Sequence, residues 1–370
     1  MSTTTKDGRG GVRPTPPQKG SDVKKTSLIS IAVAASVSAL ALTGCAASGG
    51  GDTAAARACI ILPDTASSPR WESGDRPALE AAFTAAGFES DIQNAQGDES
   101  KYATIAEQQL SEGCGVMILV DYNSAGVQVT EKAQAQGIPV IAYDRPIAGA
   151  DYYVSFDNVK VGELEGQSIL DGLAAVGKDP ATASVVYVPG DPKDGNAAMF
   201  SEGATSVMEA AGIVPAFETP GTWDPATAGT GFEQAYTALG GNIDAVWVAN
   251  DSNAAAVIAV LDKNGKTVPV SGQDASVAGL QNVLLGKQTA TVYKPFSVEA
   301  EAASGLAIAI LKGETPSVNK TLDDGTPFLA VEPQLVGPDK VQVVIDAGDA
   351  SAAEIYTGDV AAKCEEFGIK

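Results

Sequence analysis

The sequence contains no histidine among its 370 residues. That absence removes Ser-His and Cys-His nucleophile pairs, imidazole general bases and histidine metal sites together. Catalysis, if any, would fall to carboxylates, Lys or Tyr. Cysteine is scarce: Cys45, Cys59, Cys114 and Cys364 are the whole set, with no CxxC or other metal-type spacing. Structural cysteines are therefore the default, and neither metal nor cofactor is expected. Positive charge is also short, with 24 Lys and Arg against 46 Asp and Glu and a net charge of −22. Nucleic acid and anionic lipid are poor partners for such a chain. Tracts of like charge are missing, and only one long apolar run exists, at residues 28–42.

That run follows Lys24 and Lys25 and closes on Leu42-Thr43-Gly44-Cys45. A charged start, an apolar stretch shorter than the roughly 20 residues of a spanning helix, and small residues before a Cys describe a secretory signal of lipoprotein type. Residues 1–45 are thus read as a signal peptide, with Cys45 as the lipidated amino terminus of the mature chain. Residues 46–57 are small and polar and read as a flexible tether. The rest is expected to work outside the cytoplasm, held at the cell membrane by lipid alone. Without residues 1–45 the chain keeps 18 basic and 44 acidic residues, net −26. Its 325 residues can bury a core and suggest two domains.

Short β-rich runs alternate with longer amphipathic stretches. Strands are predicted at 59–62, 88–93, 116–120, 140–143, 184–188, 213–217, 245–249, 268–271, 290–293 and 341–345. Helices are predicted at 76–86, 101–112, 125–136, 159–176, 197–211, 225–239, 252–264, 276–285 and 297–311. This repeated βα alternation means an α/β fold of parallel sheets wrapped by helices. Helix starts carry fitting chemistry, such as Asp224 before Pro225. If the strands near Cys59 and Cys114 are neighbours, a disulfide could join their starts; the odd count after Cys45 leaves one cysteine over.

Parallel α/β sheets present ligand groups beyond the carboxyl ends of their strands. Those positions read Pro63-Asp64, Asp121, Asp144-Arg145, Asp191 to Asn196, Trp223-Asp224, Asn250-Asp251, Gln273-Asp274 and Lys294. Asp and Asn there are also ordinary helix caps and turn formers. As a set, though, these side chains supply the directional donors and acceptors that hold an uncharged polyol. Trp71 and Trp223 fall beside this set in predicted loops, where an indole face can cover the C–H face of a sugar ring. Trp247, flanked by Val246 and Val248 in a strand, reads as core.

Ser68-Pro69-Arg70-Trp71, Ala142-Tyr143-Asp144-Arg145-Pro146, Tyr153-Val154-Ser155-Phe156-Asp157-Asn158, Trp223-Asp224-Pro225-Ala226-Thr227, Val270-Ser271-Gly272-Gln273-Asp274-Ala275 and Thr291-Val292-Tyr293-Lys294-Pro295 follow one another in this order. In these blocks the chain, from about residue 58 to 338, resembles the sugar-binding proteins of ABC transporters, type I periplasmic binding proteins, in the xylose-binding and multiple-monosaccharide-binding branch. The resemblance implies two Rossmann-like lobes with parallel sheets, joined by a three-crossover hinge: residues 58–156 plus 275–330 in the N-terminal lobe and 157–274 plus 331–370 in the C-terminal lobe. It implies that Arg70 and Arg145 grip hydroxyls while Trp71 stacks. Asp194 and Asn196 match the Asp-x-Asn pair of the second lobe, Trp223 its stacking aromatic, Asn250 its strand-end amide, and Asp274 and Lys294 its hinge-side pair. The loops at 62–65 and 193–195 depart from the xylose-binding pattern, so the sugar's identity stays open. The implied function is capture of a monosaccharide by a monomeric, non-enzymatic receptor for an ABC permease. A receptor feeding a sensor kinase or chemoreceptor is the alternative reading, and a lipid-anchored glycosidase, needing two carboxylates roughly 5–10 Å apart, is the remote one.

Overall fold

The computed structural model describes residues 57–370. The apolar run, Cys45 and the tether up to residue 56 lie outside them. From Arg57 onward, apolar runs form the inner strands, buried on both faces, while the edge strand at Ser90–Asn94 is polar and only partly buried. β1 (Ala58–Leu62), β2 (Ser90–Asn94), β3 (Val116–Leu119), β4 (Val140–Tyr143) and β5 (Tyr152–Phe156) pair in parallel in the order β5-β4-β3-β1-β2. α1 (Arg76–Ala86), α2 (Glu99–Glu112) and α3 (Ala125–Gln134) make the crossovers. Alternate residues of one strand feed opposite cores: Cys59 and Ile61 join Tyr102 and Val129, while Ala58, Ile60 and Leu62 join Phe83 and Trp71.

The chain then leaves this sheet through α4 (Asn158–Ala175), capped by Asp157, whose side chain accepts from the Lys160 amide. A second parallel sheet follows, ordered β7-β6-β8 and made of β6 (Val185–Val188), β7 (Pro215–Glu218) and β8 (Ala245–Val248), with α5 (Gly195–Ala210), α6 (Pro225–Ala238) and α7 (Asp251–Lys263) between and after. Single bridges from Val246 to Val270 and from Gln273 to Val292 extend it. α8 (Val277–Leu284) and β9 (Thr291–Tyr293) stay with this second body. At Lys294-Pro295 the chain returns: α9 (Phe296–Leu311) lays Ala300, Ala303 and Ala307 on the first sheet's core, and β10 (Lys320–Thr321) and β11 (Pro327–Val331) add to that sheet beside β5. A third passage ends in β12 (Gln334–Val336), which pairs with β9.

Three expectations about the fold need correction. Residues 275–293, expected with the first lobe, pack instead against the C-terminal segment, where Leu280, Val283 and Tyr293 share a core with Val341, Ile355 and Cys364. The strand expected at 341–345 is a helix, α10 (Val341–Asp346), followed by α11 (Ala352–Ile355) and α12 (Val360–Phe367). Val341 and Val344 are buried at helical spacing while Val343 is 42 % exposed, so the β-branched run obeys a helical period. The strand expected at 268–271 is reduced to the single bridge at Val270, and the strands β5, β10, β11 and β12 are additions to the expected set. Cys59 and Cys114 form a disulfide at the start of the paired strands β1 and β3, and Cys364 is a buried free thiol. Among the described residues, no helix is long and apolar enough to cross a membrane.

Candidate functional site

The carboxyl ends of the two sheets converge on one small cavity of about 30 Å³. Arg70, Trp71, Arg145, Asp194, Asn196, Trp223, Asn250, Asp274 and Lys294 all line it. Past Ser67, Arg145, Asp194 and Trp223 it opens into a cleft of about 370 Å³ walled by both bodies.

Three cations are each paired with a carboxylate at its wall. The Arg70 Nη1 donates to Asp144 Oδ2 at 3.1 Å, the Arg145 Nε lies 3.3 Å from Asp194 Oδ2, and the Lys294 Nζ lies 3.0 Å from Asp274 Oδ1. All of these side chains are nearly buried. Burial alone would push the Asp144 carboxyl up, but Lys294, Arg70 and Arg145 outweigh it and hold the group below the usual range. For Asp194 burial prevails over Arg145, and the carboxyl is pushed up. Burial would lower Lys294, yet Asp274 and Asp144 keep its ammonium charged.

Helix capping positions several of these groups. Asp194 caps α5 by accepting from the Asn196 amide, and its other oxygen accepts from the Trp223 indole N–H at 3.0 Å. Asn250 caps α7 through its carbonyl, leaving its amide 3.4 Å from the Ser67 carbonyl. The capping and ligand readings of these residues are thus compatible, because a cap uses one oxygen and leaves the rest of the side chain aimed beyond the strand.

Trp223 rests on the backbone of Gly190, where a Cβ would come within 2.2 Å of the indole, and meets Phe200 edge-on at 6.4 Å. Trp71 is nearly buried beside two cations. Its ring is 2 % exposed, with the Arg70 guanidinium 4.7 Å and the Arg145 guanidinium 5.5 Å from its centroid, and its N–H donates to Ser67 Oγ. Trp71 supports the two guanidiniums by cation–π attraction while it lines the cavity. Asn196 is similarly engaged: its amide donates to the Asp144 carbonyl at 2.6 Å, and its carbonyl accepts from Tyr153 and Asn158. It joins the two bodies at the cavity floor.

The cavity wall also holds Asp144 and Gln273, read at strand ends but given no separate binding role, and Ser67 and Phe200, which were not expected. Phe200 lies one helical turn after Asn196, so it was within reach of the strand-end argument. Behind the wall, Asp75 and Glu299 also grip Arg70. Among the described residues, no group of three or more Cys, Asp or Glu side chains is arranged to hold a metal ion.

Known proteins resemble this chain over most of its length. Residues 59–315 match the family described as periplasmic binding protein domain. The D-xylose-binding periplasmic protein of Escherichia coli (strain K12) is 33 % identical over 266 residues, covering 69 % of this chain and 78 % of that protein. The multiple sugar-binding periplasmic receptor ChvE of Rhizobium radiobacter is 31 % identical over 293 residues, covering 72 % and 81 %. Among solved structures, a carbohydrate transporter solute binding protein from Chloroflexus aurantiacus in complex with D-glucose superposes with a TM-score of 0.71 at 27 % identity, covering 80 % of this chain and 97 % of that one.

Proposed function

The chain belongs to the periplasmic binding protein family and has its type I fold, and from that premise we propose that it captures a monosaccharide, a xylose-like pentose or related aldose, and delivers it to an ABC permease. The observation that carries this reading is the set of three cation–carboxylate pairs, Arg70–Asp144, Arg145–Asp194 and Lys294–Asp274, drawn from both bodies around one cavity. Each pair offers a donor and an acceptor side by side, which is the pattern a ring of hydroxyls needs. An inverted hydroxyl strands one buried polar group, so the site rejects epimers. The cavity is walled by side chains of the two bodies together. The sugar enters when they part at the three chain passages, and closure on it, through contacts from both sides, is the form the permease meets.

Relatives named as sugar-binding proteins, and a solved carbohydrate transporter solute binding protein in complex with D-glucose, support the ligand class. The protein acts by binding, without turnover. Lipidation at Cys45 would keep it near its permease and raise the local concentration. Two measurements test this. Thermal shift and calorimetry against pentoses, hexoses, disaccharides and amino acids are expected to single out one or two monosaccharides, with about 2.7 kcal/mol of added stability at about 100 times the dissociation constant. A response only to another solute class sinks the reading. Mass spectrometry of the mature amino terminus is expected to find acyl groups on Cys45, and Cys45→Ser to release the protein from membranes; retention of that variant overturns the anchor.

A further inference from the structure

We propose that Glu299 is a specificity-determining positioning residue: through Arg70 it selects which ligand hydroxyl meets the first body's cation. The inference rests on the monosaccharide reading above. Glu299 is fully buried on α9, five residues past Lys294, where the chain returns from the second body to the first. It does not line the cavity, and neither does Asp75. Both face the rear of the Arg70 guanidinium. Asp75 accepts from Nε at 2.8 Å and from Nη2 at 2.7 Å, and Glu299 Oε2 accepts from Nη2 at 2.5 Å.

A guanidinium has five N–H donors. With Asp144 on Nη1, four are committed, and one Nη1 N–H is left toward the cavity. The clamp therefore turns a five-donor fork into a single directed donor beside the Asp144 carboxylate. Its parts are themselves fixed. Asp75 also accepts from the Tyr143 hydroxyl. Phe296, at the start of α9, lies so close to Gly74 that a Cβ there would meet its ring at 2.3 Å, seating the helix on the turn that bears Asp75.

Neutralising one guanidinium needs one carboxylate, yet three surround this one. Burial, reinforced by Asp144 and Asp75, pushes the Glu299 carboxyl well up, and its Oε1 has no partner. A third buried acid costs stability. Orientation of a ligand contact is a use that accounts for it.

The test is calorimetric titration of the wild-type protein and of E299A, E299D and E299Q with the monosaccharide it binds and with each monodeoxy analogue of that sugar. E299A and E299D release or displace the guanidinium. They are expected to weaken the parent sugar about tenfold or more, but to weaken by less than about threefold the one analogue that lacks the hydroxyl met by Arg70. The preference for the parent over that analogue then collapses. E299Q keeps an acceptor at the same reach and is expected to keep the preference. Equal weakening of every analogue marks Glu299 as merely structural and overturns the inference, as does an intact preference in both E299A and E299D. Should E299A lack a cooperative melt, E299D, which retains the carboxyl group, carries the comparison. A wild-type protein that binds no monosaccharide sinks the reading underneath, and that outcome is distinct from a sugar-binding protein whose preference the variants leave alone.

Discussion

Asp144 and Asp274 occupy matching positions in the two bodies. Each donates its backbone N–H to a neighbouring strand, Asp144 to the Val154 carbonyl at 2.8 Å and Asp274 to the Val292 carbonyl at 2.9 Å. Each is a non-glycine residue in the left-handed region, with φ of 62° and 96°, and each sets its carboxylate on a site cation. Such backbone conformations cost about 1–3 kcal/mol and persist where the surroundings over-determine them. The turn of the backbone at these points swings the carboxylate off the strand and into the cavity.

Substitution at Asp274 separates the backbone from the charge. Asn tolerates the left-handed region almost as Asp does, while Ala does not. Asp274→Asn is therefore expected to melt near the wild-type temperature and to lose about tenfold or more in sugar affinity, because Lys294 loses its counter-charge. Asp274→Ala is expected to lose affinity and about 1 kcal/mol of stability besides. Calorimetry and thermal melts of the two variants check this; equal stability of both would remove the backbone argument.

Trp223 is the exposed-side aromatic of the cavity, and Gly190 is what lets it lie flat. Trp223→Ala is expected to weaken sugar binding by about tenfold or more, about 1.4 kcal/mol, with little change in the melt of the sugar-free protein. Gly190→Ala should reproduce the affinity loss by pushing the ring forward, since its Cβ would fall 2.2 Å from the indole. An unaltered dissociation constant in Trp223→Ala would sink the stacking role.

Much of this was legible because strand ends obey a simple rule. In a parallel sheet the residues after each strand share one end of the fold, so Arg145, Asp194, Asn250 and Lys294 could be brought together from sequence order alone. The placement of Trp71 was hidden, because an indole in a loop looks available until the path of Arg70 and Arg145 over it is known. Asp75 and Glu299 were hidden for the same reason: an ion cluster built from residues 70, 75, 144 and 299 depends on where α9 lands. One signal was readable. Glu299 falls four residues before Ala303 on the buried stripe of an alanine-rich helix, and an acid on an apolar stripe asks for a partner. The 341–345 run is a helix and not a strand because the helical spacing of its buried residues outweighs its β-branched composition.

Asp251 offers a test of pH dependence. Its carboxylate is buried at the start of α7 among Gln288, Thr291 and Ser276, and burial pushes it up to about 7. With an ordinary value near 3.8 in the unfolded chain, the folded state binds more protons between pH 4 and about 7. Stability falls as pH rises through that window and is flat above it. The span corresponds to something on the order of 4 kcal/mol. In Asp251→Asn that proton uptake is gone, so the difference in urea midpoint between wild type and variant is expected to shift steadily in the variant's favour from pH 4 to 7. A difference constant across the window would contradict the assignment.

The Cys59–Cys114 disulfide should be separable from ligand binding altogether. It links the starts of β1 and β3, whereas the cavity lies at the opposite, carboxyl ends of the strands. Closing a loop across a separation of 55 residues restricts the unfolded chain by about 4 kcal/mol. Reduction, or Cys59→Ala with Cys114→Ala, is therefore expected to lower the urea midpoint by a matching amount while the dissociation constant for sugar changes by less than about twofold, a few tenths of a kcal/mol. The comparison is informative because the two quantities respond to different ends of the same strands. A large affinity loss on reduction would mean that strand register, set at the disulfide end, is transmitted along β1 and β3 to Asp64, Ser67 and Asp121 at the mouth of the cleft.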